Sequence, residues 1–318
     1  MSAALGLRAW GALGIVYLVW GSTYLAIRFA IETLPVFLSA GLRFGAAGLI
    51  MLAVVALLRG RSALRATPAQ LATAAVSGVL LLVGGNGLVS VAEQRVDSGL
   101  AALLIACVPL WIVVLRTGLG DRPGLATASG VLLGFLGVAL IFLPGGSGGG
   151  TDVRYAAVAV LASLLWAAGS LLQTRRPVPA DPLALTTYEM LAGGAVLLAL
   201  GAGRGELSGF SFAEVSAKSW LALGYLVVFG SLVAFTAYVW LLGHVPVSVV
   251  STYAYVNPAV AVVLGALLAA ERLTVAALAG GLVVLAAVAV VVTAEGRRQR
   301  RAAAEPPAAE GEDAPLAA

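Results

Sequence analysis

The sequence predicts an all-α polytopic membrane protein whose ten transmembrane helices form two inverted five-helix repeats. Three observations carry that prediction. The 318 residues have a mean hydropathy of +1.02 and only 11% charged side chains, where a soluble domain carries about 25%. The apolar residues fall into runs of about 20, the length that crosses a hydrocarbon core of about 30 Å. The chain also repeats itself. Thr252 to Val292 is two apolar runs broken by Glu271-Arg272, with Pro258 in the first and Gly280-Gly281 in the second. Ile105 to Phe142 has the same order, with Pro109, Asp121-Arg122 and Gly130 standing roughly 150 residues earlier. A second match, at roughly 146 residues, sets Trp20-Gly21-Ser22, Pro35 and Arg43 beside Trp166-Ala167-Ala168, Pro182 and Glu189.

Composition narrows the function classes. Cys107 is the single cysteine and lies in an apolar run, so no intrachain disulfide and no cysteine-based metal cluster is expected. The net charge of +4 comes from arginines grouped at particular loops, a pattern that reports membrane orientation rather than nucleic-acid binding. The first apolar run, preceded by Arg8, is too long for the core of a signal peptide and carries Trp20 and Arg28, so it reads as the first span.

In chain order, windows of about 19 residues place spans near residues 9–31, 36–58, 69–92, 99–119 and 125–143 in the first half. The second half gives 153–174, 183–202, 219–242, 247–270 and 275–294. The first repeat thus occupies residues 1–143 and the second 152–294. Between them, 144–151 (PGGSGGGT) reads as a flexible linker, because it lacks the Gly-Lys-Ser/Thr ending of a phosphate-cradling loop. Residues 295–318, rich in Arg, Ala, Pro and Glu, cannot bury a core and are expected to form a disordered cytoplasmic tail. Five spans per half is odd, so the second half enters the membrane inverted. With both termini in the cytoplasm, twelve Lys and Arg residues face inward and five outward, as the positive-inside rule requires.

Polar residues inside spans are the functional candidates. Arg43 lies about 12 Å into the second span, where an arginine costs about 2.5 to 3.5 kcal/mol and needs a partner. Glu189 holds the equivalent place in the seventh span, so pairing across the pseudo-twofold axis and separate bonding to hydroxyls are both open. Glu189 could alternatively carry a coupled proton. Trp20, Tyr24 and Trp166 are aromatic at mid-depth, away from the interfacial belts such rings usually occupy, which makes them candidate ligand contacts. Asn86 in GGNGL and Asn257 before Pro258 are buried amides that need partners. Tyr253 lies four residues from Asn257 and shares its helix face. Pro109 and Pro258 each remove a backbone donor in mid-membrane and predict kinks. Arg28 and Glu32 have the spacing of an i,i+4 pair, and Glu93, Arg95 and Asp97 read as a solvated outer loop. His244 is the single histidine, in a loop, so no zinc pair or Ser-His arrangement is available; neither an enzyme nor an ATP-driven pump is expected, and no cofactor or metal.

These residues also carry a resemblance. VWGSTYLAIR (Val19 to Arg28), AGLRFGAAG (Ala40 to Gly48), GNGLVSVAEQ (Gly85 to Gln94), YEMLAGG (Tyr188 to Gly194) and STYAYVNPAVAVVLG (Ser251 to Gly265) are similar to the EamA family of the drug/metabolite transporter superfamily. The similarity runs from about Leu13 to Val292 and departs only in the glycine-rich linker. It implies a ten-helix inverted-repeat fold in the inner membrane and export of small metabolites or drugs. Trp20, Gly21, Arg43, Pro109, Pro258 and Glu271 fall on family pattern positions without thereby gaining roles. The combined expectation is a secondary transporter working by alternating access, with the lipid bilayer and a small amphipathic or zwitterionic metabolite as its partners. The competing class is a non-transporting membrane scaffold or receptor-like protein.

Overall fold

The computed structural model describes residues 6–142, 152–245 and 247–304. The expected linker at 144–151 and the tail beyond 304 lie outside the described residues. Within them the chain forms α1 (Leu7–Ala30), α2 (Val36–Leu58), α3 (Pro68–Ala92), α4 (Ser98–Gly118), α5 (Leu125–Ile141), α6 (Val153–Arg175), α7 (Pro182–Gly203), α8 (Ala217–His244), α9 (Tyr253–Leu268) and α10 (Val275–Ala304), and no strand. Eight of these are long and apolar enough to cross a membrane, and α5 and α9 are shorter apolar helices.

Helix starts follow local chemistry. Thr67 accepts from the Gln70 amide while the Gln70 side chain returns to the Thr67 amide, a capping box that opens α3 with Pro68 in the first turn. Asp181 caps α7 ahead of Pro182, and Ser216 caps α8. The two mid-membrane prolines behave differently. Helix α4 is interrupted at Ala106–Cys107, just before Pro109, whereas α9 runs through Pro258 without a break. Helices α3 and α8 each widen to π-helical turns, over Val79–Gly87 and Leu226–Val233. Such turns release backbone groups from the regular ladder and recur at functional sites.

The surface is that of a protein solvated by hydrocarbon. Large apolar side chains face outward along the helices, including Leu49, Leu132 (68% exposed), Leu221 and Leu267 (74% exposed), an arrangement that water would penalise. Helices α2 and α7 pack along their length, as do α5 and α10; α1 packs on α8 and α9, and α6 on α3 and α4. Small residues allow the close approach that replaces hydrophobic driving force between helices in lipid. At the α2–α7 seam, a Cβ on Gly194 would stand 2.7 Å from the backbone nitrogen of Gly45.

The start of α1 packs on the end of α8, and the end of α10 meets the α4–α5 connection, so both ends of the described chain are on the face where α4 ends. On this terminal face Arg116 bonds Glu295 at 2.7 Å and also pairs with Asp121, which Arg298 reaches at 2.9 Å. Hydrogen bonds from Arg298 and Arg116 hold the Asp121 carboxyl below the usual carboxylate range. These contacts explain a correction to the sequence reading. Residues 295–304 were expected in the disordered tail, but α10 continues to Ala304 because Glu295, bonded by Arg116 and Thr127, and Arg298 tie its last turns to α4 and α5.

Candidate functional site

Arg43 projects from the middle of α2 into the bundle and is 5% exposed. Its Nε donates to Ser231 Oγ at 3.0 Å and an Nη donates to the Asn86 side-chain oxygen at 3.4 Å. Both partners stand on the π-helical turns of α8 and α3. The guanidinium also lies 4.6 Å from the centroid of the buried Phe44 ring, a favourable cation–π placement. None of these groups carries negative charge, and Glu93, the acid within electrostatic reach, makes no hydrogen bond to it. A void with room for about one water molecule lies beside it, bordered by Ser39, Phe44, Asn86, Ser90 and Leu226.

Glu189, on α7 and 6% exposed, is the counterpart by repeat position. The two do not pair. Ser77 donates to Glu189 Oε1 at 2.6 Å, and the Gln173 amide donates to the same oxygen. Of the two arrangements open in the sequence, separate bonding to neutral groups is the one found. Gly78 brings α3 directly onto the Glu189 backbone, where a Cβ would stand 2.6 Å from its carbonyl oxygen. Gln173, Ser77 and Ser231 carry no mark of these roles in the sequence, since hydroxyls and an amide on apolar helices give no signal of which neighbour they will face.

The aromatic candidates divide into groups. Trp20 and Tyr253 join Tyr238 and Phe235 in one cluster, with ring centroids 5.3, 5.1 and 5.2 Å from Trp20. Trp20 Nε1 donates to the Gly230 carbonyl, 3.2 Å away on the widened turn of α8. This places the cluster beside Ser231 and hence near Arg43. Trp166 on α6 packs with Phe44, Leu81 and Met190, on the other side of the same centre. Tyr24 packs between α1 and the α4 region and lies within electrostatic reach of Glu93. Asn257 is buried beside Pro258 on α9, and its side-chain oxygen has no hydrogen-bond partner among the described residues. Trp20, Arg43, Asn86, Trp166 and Tyr253 are therefore linked through the widened turns of α3 and α8, with Arg43 and Asn86 lining the void, whereas Glu189, Tyr24 and Asn257 make their contacts elsewhere.

The face opposite the termini departs from the sequence reading. Arg28 does not pair with Glu32. It bonds Asp97 at 2.6 Å and Glu271 at 2.5 Å, while Glu32 takes Lys218 at 2.6 Å. Glu271, read as part of a loop acid–arginine pair, is buried and accepts from the Ser98 amide (2.9 Å), the Ser98 hydroxyl (2.8 Å) and the Gly99 amide (3.1 Å). It thus caps the start of α4, where a carboxylate meets free N–H groups and the positive end of the helix dipole. Glu93 was expected to be solvated, but it is 5% exposed. The turn between α3 and α4 is only a few residues long and folds Glu93 inward, while Asp97 stays half-buried against Arg28. Burial, followed by the charge of Glu271, raises the Glu93 carboxyl well above the ordinary carboxylate value, with Arg28 and Arg43 pulling the other way. His244 ends α8, exposed and stacked 4.3 Å from Trp240. Among the described residues no cluster of three His, Cys, Asp or Glu side chains could hold a metal.

The sequence profile of the EamA-like transporter family matches twice, at residues 9–143 and 154–293. The chain is 39% identical over 269 residues to the inner membrane transporter YedA of Escherichia coli strain K12, covering 84% of this chain and 85% of YedA. A WAT1-related chloroplastic protein of Arabidopsis thaliana is 26% identical over 268 residues, 80% of this chain and 62% of the relative. A solved crystal structure at 22% identity overlays with a TM-score of 0.61, covering 92% of this chain and 98% of its own, a likeness of fold alone.

Proposed function

For a chain that belongs to the EamA-like transporter family, we propose secondary transport of a small amphipathic or zwitterionic solute across the inner membrane, in the direction of export. The carrying observation is the Arg43 centre. A buried guanidinium hydrogen-bonded only to neutral groups on two widened turns, beside a small void, is a charge waiting for an anionic partner. A carboxylate or phosphate of the solute would supply the charge-assisted hydrogen bonds that Ser231 and Asn86 do not. The Trp20 cluster and Trp166 would offer apolar walls, a common composition for small-molecule sites.

In this reading α5 and α9 cross the membrane with the other eight helices, and two inverted halves rock about the Arg43 region to expose it alternately to each side. Two observations support the division. The family profile matches once in each half. The helix packing also survives a shift of five: α2 with α7 and α5 with α10 map onto themselves, while α1 on α8 and α9 maps onto α6 on α3 and α4. The terminal face, which bears the larger share of arginines, is cytoplasmic. Glu189, which has no cationic partner among the described residues, carries the coupled proton.

The test is solute flux in proteoliposomes of purified protein, run with a panel of amino acids, aromatic metabolites and cationic drugs. Saturable flux of at least one class supports the proposal. No flux for any class, from protein shown to be folded, would favour a non-transporting scaffold instead.

A further inference from the structure

On the face opposite the termini, a groove runs between α1, the α3–α4 turn and α6, and Glu93, Arg28, Asp97 and Tyr155 are among its lining residues. The acids here can be accounted for one by one. Asp97 and Glu271 share Arg28, and Glu32 at the rim takes Lys218. Glu93 is left over. The Arg28 backbone lies beside it, yet neither carboxylate oxygen accepts a hydrogen bond of ordinary geometry among the described residues. Arg43 is within electrostatic reach but gives its bonds to Ser231 and Asn86. Arg95, also on the groove, is exposed at its mouth.

A carboxyl this deeply buried is costly unless something supplies donors and charge. Arg28 and Arg43 act on it only through space, their hydrogen bonds being given elsewhere, and its buried side chain forms part of the groove wall. We propose that Glu93 is the anchor for the primary ammonium group of an amine-bearing solute entering this groove. An ammonium brings three N–H donors and a full positive charge to two empty acceptor oxygens. The position also connects with the centre of the protein. Asn86, Ser90 and Glu93 follow one another at helical spacing on one face of α3, with the Ser90 hydroxyl bonded to the Asn86 carbonyl at 3.0 Å. A solute held at Glu93 therefore lies along the helix face that leads to Arg43. The inference rests on the transporter reading only in calling the occupant a transported solute.

The experiment is isothermal titration of the full chain in detergent with phenethylamine, its alcohol analogue 2-phenylethanol, and its trimethylammonium derivative. Wild type, Glu93→Gln and Glu93→Asp are compared at neutral pH. Phenethylamine should bind at least about tenfold more tightly than the alcohol, and the trimethylammonium compound, which has no N–H, should lose most of that margin. Glu93→Gln should abolish the amine preference while leaving alcohol binding unchanged, and Glu93→Asp should keep part of it. Absence of amine binding, equal affinity for amine and alcohol in wild type, or a preference that survives Glu93→Gln would each overturn the anchor. Should Glu93→Gln fail to fold, the wild-type ligand series and Glu93→Asp still decide. Flux without an amine preference would remove the anchor and leave the transporter standing. Amine preference without flux would do the reverse.

Discussion

Arg43 and Glu189 stand at equivalent places in the two halves of the chain, and comparing them shows what the repeat preserves and what it lets diverge. Each is a buried charge, 5% and 6% exposed, hydrogen-bonded by one serine and one side-chain amide and, among the described residues, by no opposite charge. Arg43 finds its serine on α8, and Glu189 finds its serine on α3, the helix that corresponds to α8 under the five-helix shift. The amides break the pattern, since Arg43 takes Asn86 from α3 but Glu189 takes Gln173 from α6. The partners of Arg43 sit on widened turns that leave a cavity, while Gly78 presses α3 against Glu189. Two related frameworks thus leave one charge beside a small void and close the other in. The first suits a solute contact and the second suits a proton, which needs little room.

The largest effect is expected at Arg43. Replacing it with Met, which keeps much of the length and none of the charge, should lower the initial rate of flux by about a hundredfold, equivalent to about 2.7 kcal/mol of lost interaction. Proteoliposome assays on protein of unchanged folding measure this, and near wild-type flux would break the comparison at its solute side. Glu189→Gln preserves the shape and both hydrogen-bonding neighbours. Its rate should stay within about tenfold of wild type while the dependence of flux on pH disappears, and an intact pH profile would remove Glu189 as the coupled group. The smallest effects belong to the hydroxyls. Ser231→Ala should weaken solute binding by several-fold, whereas Ser77→Ala should leave binding alone and cost about 1 kcal/mol of stability. Finding the same response in both would erase the functional distinction between the centres.

Much of this arrangement was legible because membrane solvation makes the sequence simple. An apolar run of the right length in lipid has few alternatives to a helix, since every backbone group must be satisfied internally. The repeat then pointed to Arg43 and Glu189 as a matched pair. Their partners were not legible, because Ser77, Gln173 and Ser231 are ordinary residues whose roles depend on which helix face meets which. The face opposite the termini was misread for a related reason. Charged residues at helix ends are usually solvated, and nothing local in Glu93, Asp97 or Glu271 reveals that α4 begins by drawing a carboxylate onto its free amides. Arg28 has Glu32 at an ideal helical spacing, yet two acids from other helix connections outcompete it.

The central claim is that the solute binds at the Arg43 centre, and ligand-induced thermal stabilisation of detergent-purified protein tests it most directly, because a ligand of the native state raises its melting temperature by mass action. A panel of amino acids, nucleosides, quaternary amines and aromatic metabolites should yield at least one stabilising solute. The account predicts that this stabilisation is lost in Arg43→Ala, diminished in Trp20→Ala and retained in Glu189→Gln. A solute that stabilises Arg43→Ala as strongly as wild type would contradict it.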